Sequence, residues 1–476
     1  MPSFATTHDI YNDHQRDLIS QILKRVQSDK IETVRISFAD QHGVMRGKSF
    51  DVSQLESLFE SGMTAPSSLL LKDLAHRTVL PVWHGETTGL AGLAGIGDIV
   101  LMPDPARYFV LPWLNNTAWI QADIYHKDGL PSPLDTRGIA RRYAAKLAEH
   151  DFIFTSGLEI EAHVYKRVDS PLSPHDIGQP GTPPEVEILN RGFQLLTEHY
   201  ADSLDEVMAL IRSTAKALDI PLRSLEVEFG PSQIEFTCAP RQGVDTADDI
   251  VLLRNALRQV LARHGYHISF MCRPAIEGSF SSGWHLHQSL TTPQGKNLFV
   301  PQKDQRLSQH GQQWVAGLLH HTPAMILFAV PTITGYKRFR SHSLAPERIS
   351  WSEDGRGALI RSLCDAGDTA SRVENRGGEP AANPYLYLTS QMAAGLDGII
   401  NNHALPDPAQ DAYAPNLERL PRSLWEALDL ARQSSFVREA FGDVFMEVYA
   451  AIKQDEISRY HAHVSDWEQR EYFAAF

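Results

Sequence analysis

Ionisable side chains spaced two residues apart recur along this 476-residue chain, and this spacing most constrains how it can fold. The segments are Glu159-Ile160-Glu161, Glu226-Val227-Glu228, His285-Leu286-His287 and Arg372-Val373-Glu374-Asn375-Arg376. Residues two apart in a β-strand point to the same face of a sheet. One isolated Glu-x-Glu is typical of a solvated sheet face. Several such strands instead predict a sheet that gathers ionisable groups on one surface.

The remaining patterns predict an α+β chain of two domains. The length favours two domains, and the Gly- and Pro-containing segment 128–133 predicts a linker, so we expect domains 1–130 and 131–476. Apolar periodicity predicts a helix over about 14–28, followed by a strand through Val34, Ile36 and Phe38. We also expect helices over about 135–150 and 246–264, the second capped by Thr246 and Asp249, and a mostly helical end from about 421.

Composition indicates which partners the protein can have and in which compartment it works. A formal net charge of -14 argues against nucleic-acid binding, because a phosphate backbone demands a basic face. No apolar run approaches the ~18 residues of a membrane span, and the first residues lack the pattern of a signal peptide. Three widely spaced cysteines fit a reducing compartment. We therefore expect a cytoplasmic protein without nucleic-acid or membrane partners.

The polar residues predict metal-assisted phosphate chemistry. Carboxylates with imidazoles and no cysteine form a hard ligand set that suits Mg2+ or Mn2+. Of the seven arginines between residues 333 and 380, five could neutralise a polyphosphate: Arg338, Arg356, Arg361, Arg372 and Arg376. Segment 43–49 is not a Walker A loop, because Gly43 and Gly47 are one residue too close. ATP would have to be held in another way.

Motifs along most of the chain resemble the glutamine synthetase family. The matching segments, in order, are Asp40-x-x-Gly43-x-x-Arg46-Gly47-Lys48, Gly157-Leu158-Glu159-Ile160-Glu161, Glu228-Phe229-Gly230-Pro231-Ser232-Gln233-Ile234-Glu235, Ser282-Gly283-Trp284-His285-Leu286-His287-Gln288-Ser289, Tyr336-Lys337-Arg338, Arg372-Val373-Glu374-Asn375-Arg376 and Pro380-Ala381-Ala382-Asn383-Pro384. The resemblance implies a small β-grasp-like N-terminal domain. It also implies a large catalytic domain in which a curved antiparallel sheet is backed by helices.

The resemblance also implies a role for each matching residue. Glu161, Glu228 and Glu235 would hold one metal ion, and Glu159, His285 and Glu374 a second, with two or three Mg2+ or Mn2+ ions in all. Glutamate would contact Glu161, His285, Arg338 and Arg376. The nucleotide and its phosphates would face His287, Ser289, Arg356, Arg361 and Arg372. Arg338, Arg356 and Arg376 would act in catalysis, which starts with transfer of the γ-phosphoryl group of ATP to glutamate. An amine then attacks the acyl phosphate.

Departures from the family pattern point to an acceptor other than ammonia. The family flap carries a glutamate where this chain has Leu344, and a second ammonium-binding acid corresponds to Ala65. Ammonium needs carboxylates that attract it and remove its proton, whereas an aromatic amine is already neutral. Ala65, Phe280, Phe339 and Leu344 would form the amine pocket, and Trp284 is either pocket wall or core. The chain is thus similar to the γ-glutamyl amine ligase branch.

Several alternatives remain at this stage. We expect a hydrophobic or aromatic monoamine such as aniline first and a polyamine second. Ordinary glutamine synthesis, a non-catalytic descendant of the family and, more distantly, a dinuclear metallohydrolase are the others. The resemblance further implies a homo-oligomer with sites between subunits, as a hexamer or dodecamer.

Overall fold

The structure is a computed structural model that describes residues 2–81, 97–168 and 173–476. Two sheets organise it. A five-stranded sheet occupies the N-terminal part and a ten-stranded sheet the remainder. Within the described ranges, no helix is long and apolar enough to cross a membrane.

The N-terminal part combines one long helix and two short ones with a mixed sheet. Its elements are α1 (Phe4–Thr7), α2 (Asp13–Ser28), β1 (Thr33–Ala39), β2 (Met45–Asp51), α3 (Leu55–Ser61), β3 (Met63–Pro66), β4 (Asp98–Val110) and β5 (Thr117–Tyr125). The sheet order is β2-β1-β5-β4-β3, and β1 runs parallel to β5. The predicted first helix and first strand are confirmed. Asn12 and Gln15 form a reciprocal capping box that starts α2.

The large sheet is built around one long strand. Its strands are β6 (Ile153–Arg167), β7 (Val186–Glu187), β8 (Leu222–Val227), β9 (Gln233–Cys238), β10 (Arg241–Gln242), β11 (Tyr266–Ser269), β12 (Trp284–Thr291), β13 (Trp351–Glu353), β14 (Ile360–Leu363) and β15 (Arg372–Gly378). The main order is β13-β14-β15-β12-β6-β9-β8, while β7, β10 and β11 also pair with β6. Every pairing except β13 with β14 is antiparallel.

Helices accompany this sheet and in part cover its apolar side. They are α4 (Thr136–Ala148), α5 (Glu198–Ser203), α6 (Asp205–Ala217), α7 (Asp245–Arg263), α8 (Gln309–Ala329), α9 (Pro384–Ile400), α10 (Leu424–Gln433), α11 (Ser435–Phe441), α12 (Asp443–Ala462) and α13 (Asp466–Tyr472). Residues that alternate with the ionisable ones, such as Ile160 and Leu286, are fully buried in the core. The sheet is therefore apolar toward the helices and polar on its other face.

The predicted cap of the helix over 246–264 is wrong. Helix α7 begins at Asp245 behind Val244, which makes no side-chain cap. The Thr246 hydroxyl instead donates a 2.8 Å hydrogen bond to the carbonyl oxygen of Ser156 in β6. Because this residue is buried against the sheet, a neighbouring strand supplies the hydrogen-bond partner that a cap would otherwise provide.

Candidate active site

Strand pairing brings the ionisable residues together at the centre of the large sheet. Glu159 of β6 lies opposite His285 of β12, and Glu161 lies opposite Glu235 of β9. On the other side of β12, His287 lies opposite Glu374 of β15. Since side chains at facing positions of adjacent strands share a face, four strands contribute to one cluster.

The cluster is tight. His285 Nδ1 lies 2.7 Å from Glu159 Oε1 and 3.6 Å from Glu374 Oε1. His287 Nε2 lies 3.2 Å from the other oxygen of Glu159. Two triads offer ligand atoms within 4.8 Å of one another, namely Glu159, Glu235 and His285, and Glu159, His287 and Glu374.

Crowding of buried carboxyls gives these groups unusual proton affinities. Burial, and then repulsion from neighbouring glutamates, raises the pKa of Glu235 to about 10. Burial and the charge of Glu228 raise the pKa of Glu161 to about 8. Burial opposes ionisation of Glu159 as well, but hydrogen bonds from both histidines outweigh it and lower the pKa of that carboxyl. Such a set of acids fits divalent cations, which would relieve the mutual repulsion.

The geometry groups the metal ligands differently from the sequence expectation. We expected Glu161, Glu228 and Glu235 around one ion, with His287 toward the nucleotide. In the structure, Glu159 is common to both triads, and His287 is close enough to share an ion with it. The assignment of individual ligands to individual ions stays a prediction.

Two cavities open on either side of Glu159, which lines both. The first has a volume of about 370 Å³ and is lined by Glu161, Glu228, Glu235 and His285 among others. The second has a volume of about 560 Å³ and lies beside β12 and the start of β15. The metal-type cluster therefore stands between two spaces, each large enough for a small molecule.

The expected arginines divide between these cavities. Arg338, Arg356 and Arg376 line the first, and Arg372 lines the second together with His287 and Ser289. Arg372 donates a 3.1 Å hydrogen bond from Nε to His287 Nδ1. Arg361 lines neither cavity within the described chain.

Three of these arginines are held in place by the strands around them. Arg376 pairs with Glu374 and donates from Nε to the carbonyl oxygen of Arg356. Arg361 bonds Glu374 from the opposite side at 3.1 Å. Arg338 is buried and donates a 2.9 Å hydrogen bond to the Arg376 carbonyl, and burial lowers its pKa. Two guanidinium groups thus fix the Glu374 carboxylate, which is fully buried.

An apolar wall faces the cluster across the first cavity. Phe280 and Leu344, both expected there, line the cavity. Three further residues, Leu195, Leu196 and Phe229, also line this wall. Phe229 lies within the motif that begins at Glu228, but the sequence did not indicate a place in the wall. Leu195 and Leu196 had no signal in the sequence, because the segment before α5 is irregular and lies far away along the chain.

Three other residues considered for the amine pocket lie elsewhere. Phe339 packs on the core beside Tyr336. Ala65 is buried in β3 and lines neither cavity of its own chain among the described residues. Trp284 is fully buried with its ring edge on to that of Tyr387, so it is a core residue.

Fold and site together define the class: a catalytic sheet that sets acidic, histidine and arginine side chains between two small-molecule cavities. The family model described as "Glutamine synthetase, catalytic domain" matches residues 133–472. The chain therefore belongs to the glutamine synthetase family, and the predicted family, α+β fold and ligase class are confirmed.

Individual relatives match over nearly the full length. The chain is 38% identical to a gamma-glutamylanilide synthase of Acinetobacter sp, over 99% of this chain and 98% of the relative. It is 31% identical to a glutamate–isopropylamine ligase of Pseudomonas sp, over 95% and 98% of the two chains. A solved structure of ligand-free GmaS superposes with a TM-score of 0.79 at 24% identity, covering 95% of this chain and 99% of the other.

Proposed function

We propose that this chain is an ATP-dependent ligase that joins the γ-carboxyl group of glutamate to a neutral aromatic amine such as aniline, through γ-glutamyl phosphate. The observation that carries the proposal is the first cavity, where an acidic metal-type cluster faces an apolar wall. The 38% identity to a gamma-glutamylanilide synthase supports the same acceptor.

The two cavities suggest how the substrates meet. ATP would enter the 560 Å³ cavity beside His287, Ser289 and Arg372. Glutamate would enter the 370 Å³ cavity, where Arg338 and Arg376 supply fixed positive charge. The γ-phosphoryl group would then move from ATP to glutamate beside Glu159, the residue that lines both cavities. Arg356 would offset negative charge that develops on the phosphoryl group, and Arg361 would act indirectly, by fixing the Glu374 carboxylate.

Divalent cations fit the cluster between the cavities. Glu159, Glu161, Glu228, Glu235, His285 and Glu374 would hold them. When bound, Mg2+ or Mn2+ neutralises phosphate oxygens during phosphoryl transfer.

The wall favours an aromatic acceptor over ammonium. An aniline nitrogen carries its lone pair at neutral pH, so it needs no carboxylate to remove a proton before attack. Its ring is stabilised by burial against Leu195, Leu196, Phe229, Phe280 and Leu344. Ammonium at this wall would lose hydration without the carboxylate that a glutamate in place of Leu344 would supply.

Leu344 is held in this position by the backbone. Its φ is 58°, in the left-handed region that costs a leucine about 1–2 kcal/mol. Its carbonyl oxygen accepts a 3.4 Å hydrogen bond from Arg376 Nη2. This hydrogen bond ties the segment around Leu344, which corresponds to the family flap, to an arginine of the first cavity. Strained conformations of this kind persist where the surrounding structure fixes them.

A polyamine is the second candidate, on one observation. Glu226 lines the first cavity and belongs to neither metal-type triad in the described chain, so it could receive a distal ammonium group. Arg273 and Arg340 line the same cavity and would repel a dication. The balance of charge therefore favours the monoamine.

The proposal extends to the assembly. We infer a homo-oligomer of six or twelve chains in which β3 of one subunit, carrying Ala65, completes the amine pocket of the next. Ala65 is itself buried in its own chain, so the exposed positions beside it in β3, Thr64 and Pro66, would make the contact. We also propose that the protein is cytoplasmic, with glutamate and a small amine as its partners and neither nucleic acid nor membrane.

The ligase reaction is tested by product stoichiometry. Purified protein with glutamate, ATP, Mg2+ or Mn2+ and aniline should form ADP, phosphate and γ-glutamylanilide in equal amounts. Omission of aniline, glutamate or metal should each abolish the product. Hydrolysis of γ-glutamylanilide in the absence of ATP would favour a metallohydrolase. Absence of ATP turnover with every amine and both metals would favour a non-catalytic descendant.

A further inference from the structure

A third cavity, separate from both active-site cavities, has the features of an anion site. Its volume is about 550 Å³, and it lies between the turn after β1, helix α7, strand β11 and helix α12. None of its described lining residues is an aspartate or glutamate, whereas Arg254, Arg258, Lys453 and His42 are all among them. The lining of this cavity is therefore basic, although the whole chain has a net charge of -14.

Arg254 is the central observation. It is 8% exposed, and its Nη1 donates 2.8 and 2.9 Å hydrogen bonds to the carbonyl oxygens of Pro380 and Ala382. Its Nη2 is buried with no hydrogen-bond partner within the described ranges. No carboxylate pairs with this guanidinium in the described part of the chain, so its positive charge is left to act on the cavity that the side chain lines.

A second guanidinium lies beside the first. Burial, and then repulsion from Arg258, lowers the pKa of Arg254 to about 10. Arg258 is exposed on the next turn of α7 and makes no ion pair with the described part of the chain. Lys453 differs, because it is bonded to Glu456 at 3.0 Å and to the Pro331 carbonyl. Two uncompensated guanidinium groups therefore converge on one space.

The rest of the lining is apolar. Val44, Met45, Phe270, Met271 and Tyr449 border the cavity, and its volume exceeds that of a bare inorganic ion. Mostly apolar walls with a few fixed polar groups are typical of sites for small organic ligands.

We propose that this cavity binds a small organic anion, with its acidic oxygens on Arg254 and Arg258 and a partly apolar body against the wall. Carboxylates and phosphates share this chemistry, because both accept hydrogen bonds from guanidinium groups. The site would lie behind the catalytic sheet, and Arg254 connects it through Pro380 and Ala382 to the loop that follows β15.

Calorimetric titration with matched probes tests the proposal. The protein, with its active site saturated by ADP, Mg2+ and glutamate, is titrated with benzoate, phenyl phosphate and neutral benzyl alcohol. We expect benzoate, phenyl phosphate or both to bind, and benzyl alcohol not to bind. Benzoate alone would identify a carboxylate site, and phenyl phosphate alone a phosphate site.

Substitutions on one helix locate the binding. Arg258→Glu should weaken binding by about tenfold or more, because it places a carboxylate beside the anion. Arg263→Glu, an exposed position of α7 outside the lining, should leave binding unchanged. Both variants should retain the wild-type Tm, since neither side chain is buried.

Three results would overturn the proposal: no binding of either anion, equal binding of benzyl alcohol, or unchanged affinity in Arg258→Glu.

Discussion

At the scale of single residues, we expect Leu344 to select the amine that is accepted. Leu344→Glu would place an acid in the apolar wall of the first cavity. We expect kcat/KM for aniline to fall about tenfold or more, because a carboxylate must be desolvated beside the ring, and kcat/KM for ammonium to rise. Steady-state phosphate release with each amine measures both.

Leu344→Gln is the matched control for this prediction, because it has nearly the same size without the charge. It should weaken aniline use without raising ammonium use. If ammonium turnover were unchanged in Leu344→Glu, Leu344 would not be the position that excludes ammonium.

The buried acids predict a pH-dependent response to metal. The pKa values of Glu161 and Glu235 are raised to about 8 and about 10, from an ordinary 4.5. Without metal, the folded state therefore keeps protons that the unfolded chain loses, and the free energy of unfolding falls as pH rises from about 4.5 toward about 8. Metal must displace those protons, so the rise in Tm on adding Mg2+ or Mn2+ should grow over the same range.

Glu235→Gln provides the comparison for this titration. The amide removes one buried acid, so the metal-free variant should lose less stability with rising pH and gain less Tm from metal. Thermal unfolding across that pH range, with and without metal, makes the measurement. A metal-induced rise in Tm that is independent of pH in the wild type would contradict this account of the cluster.

At the scale of elements, the crossing of α8 and α9 depends on glycine. A Cβ on Gly317 would lie 2.1 Å from the carbonyl oxygen of Ala394 and 2.8 Å from Gly398. Gly317→Ala must push the helices apart and should lower the free energy of unfolding by about 1–3 kcal/mol.

Gly311→Ala in the first turn of α8 makes the same chemical change where the nearest atom is 3.3 Å away. It should alter stability by less than about 1 kcal/mol. Calorimetric unfolding compares the two variants. Equal stability of both would show that the close helix crossing is not required.

Elements also show what sequence could and could not predict. Ionisable residues spaced two apart in each strand are enough to predict a sheet with one ionisable face, because successive side chains of a strand point to alternate faces. It could not show that Glu159 faces His285, since register between β6 and β12 is set by long-range pairing. Likewise, Thr246 fits a capping pattern in the sequence, but its partner in the fold is Ser156 of β6, which lies 90 residues away and gives no local signal.

The apolar wall illustrates the same limit. Phe280 and Leu344 were accessible to prediction because they flank motifs of the family. Leu195 and Leu196 belong to irregular backbone without periodicity, and only folding brings them into the first cavity.

At the scale of the whole molecule, the proposed assembly predicts that activity depends on oligomerisation. If β3 of a neighbour completes each amine pocket, dilution below the dissociation range of the oligomer should lower specific activity in step with loss of six- or twelve-chain particles. Mass photometry and activity assays on the same dilution series measure both. A monomer with full specific activity would rule out shared sites.

Selection among amines in one vessel tests the central claim most directly. The protein is supplied with glutamate, ATP, metal and equimolar aniline, isopropylamine, putrescine and ammonium, and the γ-glutamyl products are quantified by mass spectrometry. The structure predicts γ-glutamylanilide as the main product, with glutamine at least about tenfold lower, because the acceptor cavity carries an apolar wall and leucine in the flap. Glutamine or γ-glutamylputrescine as the main product would contradict the account.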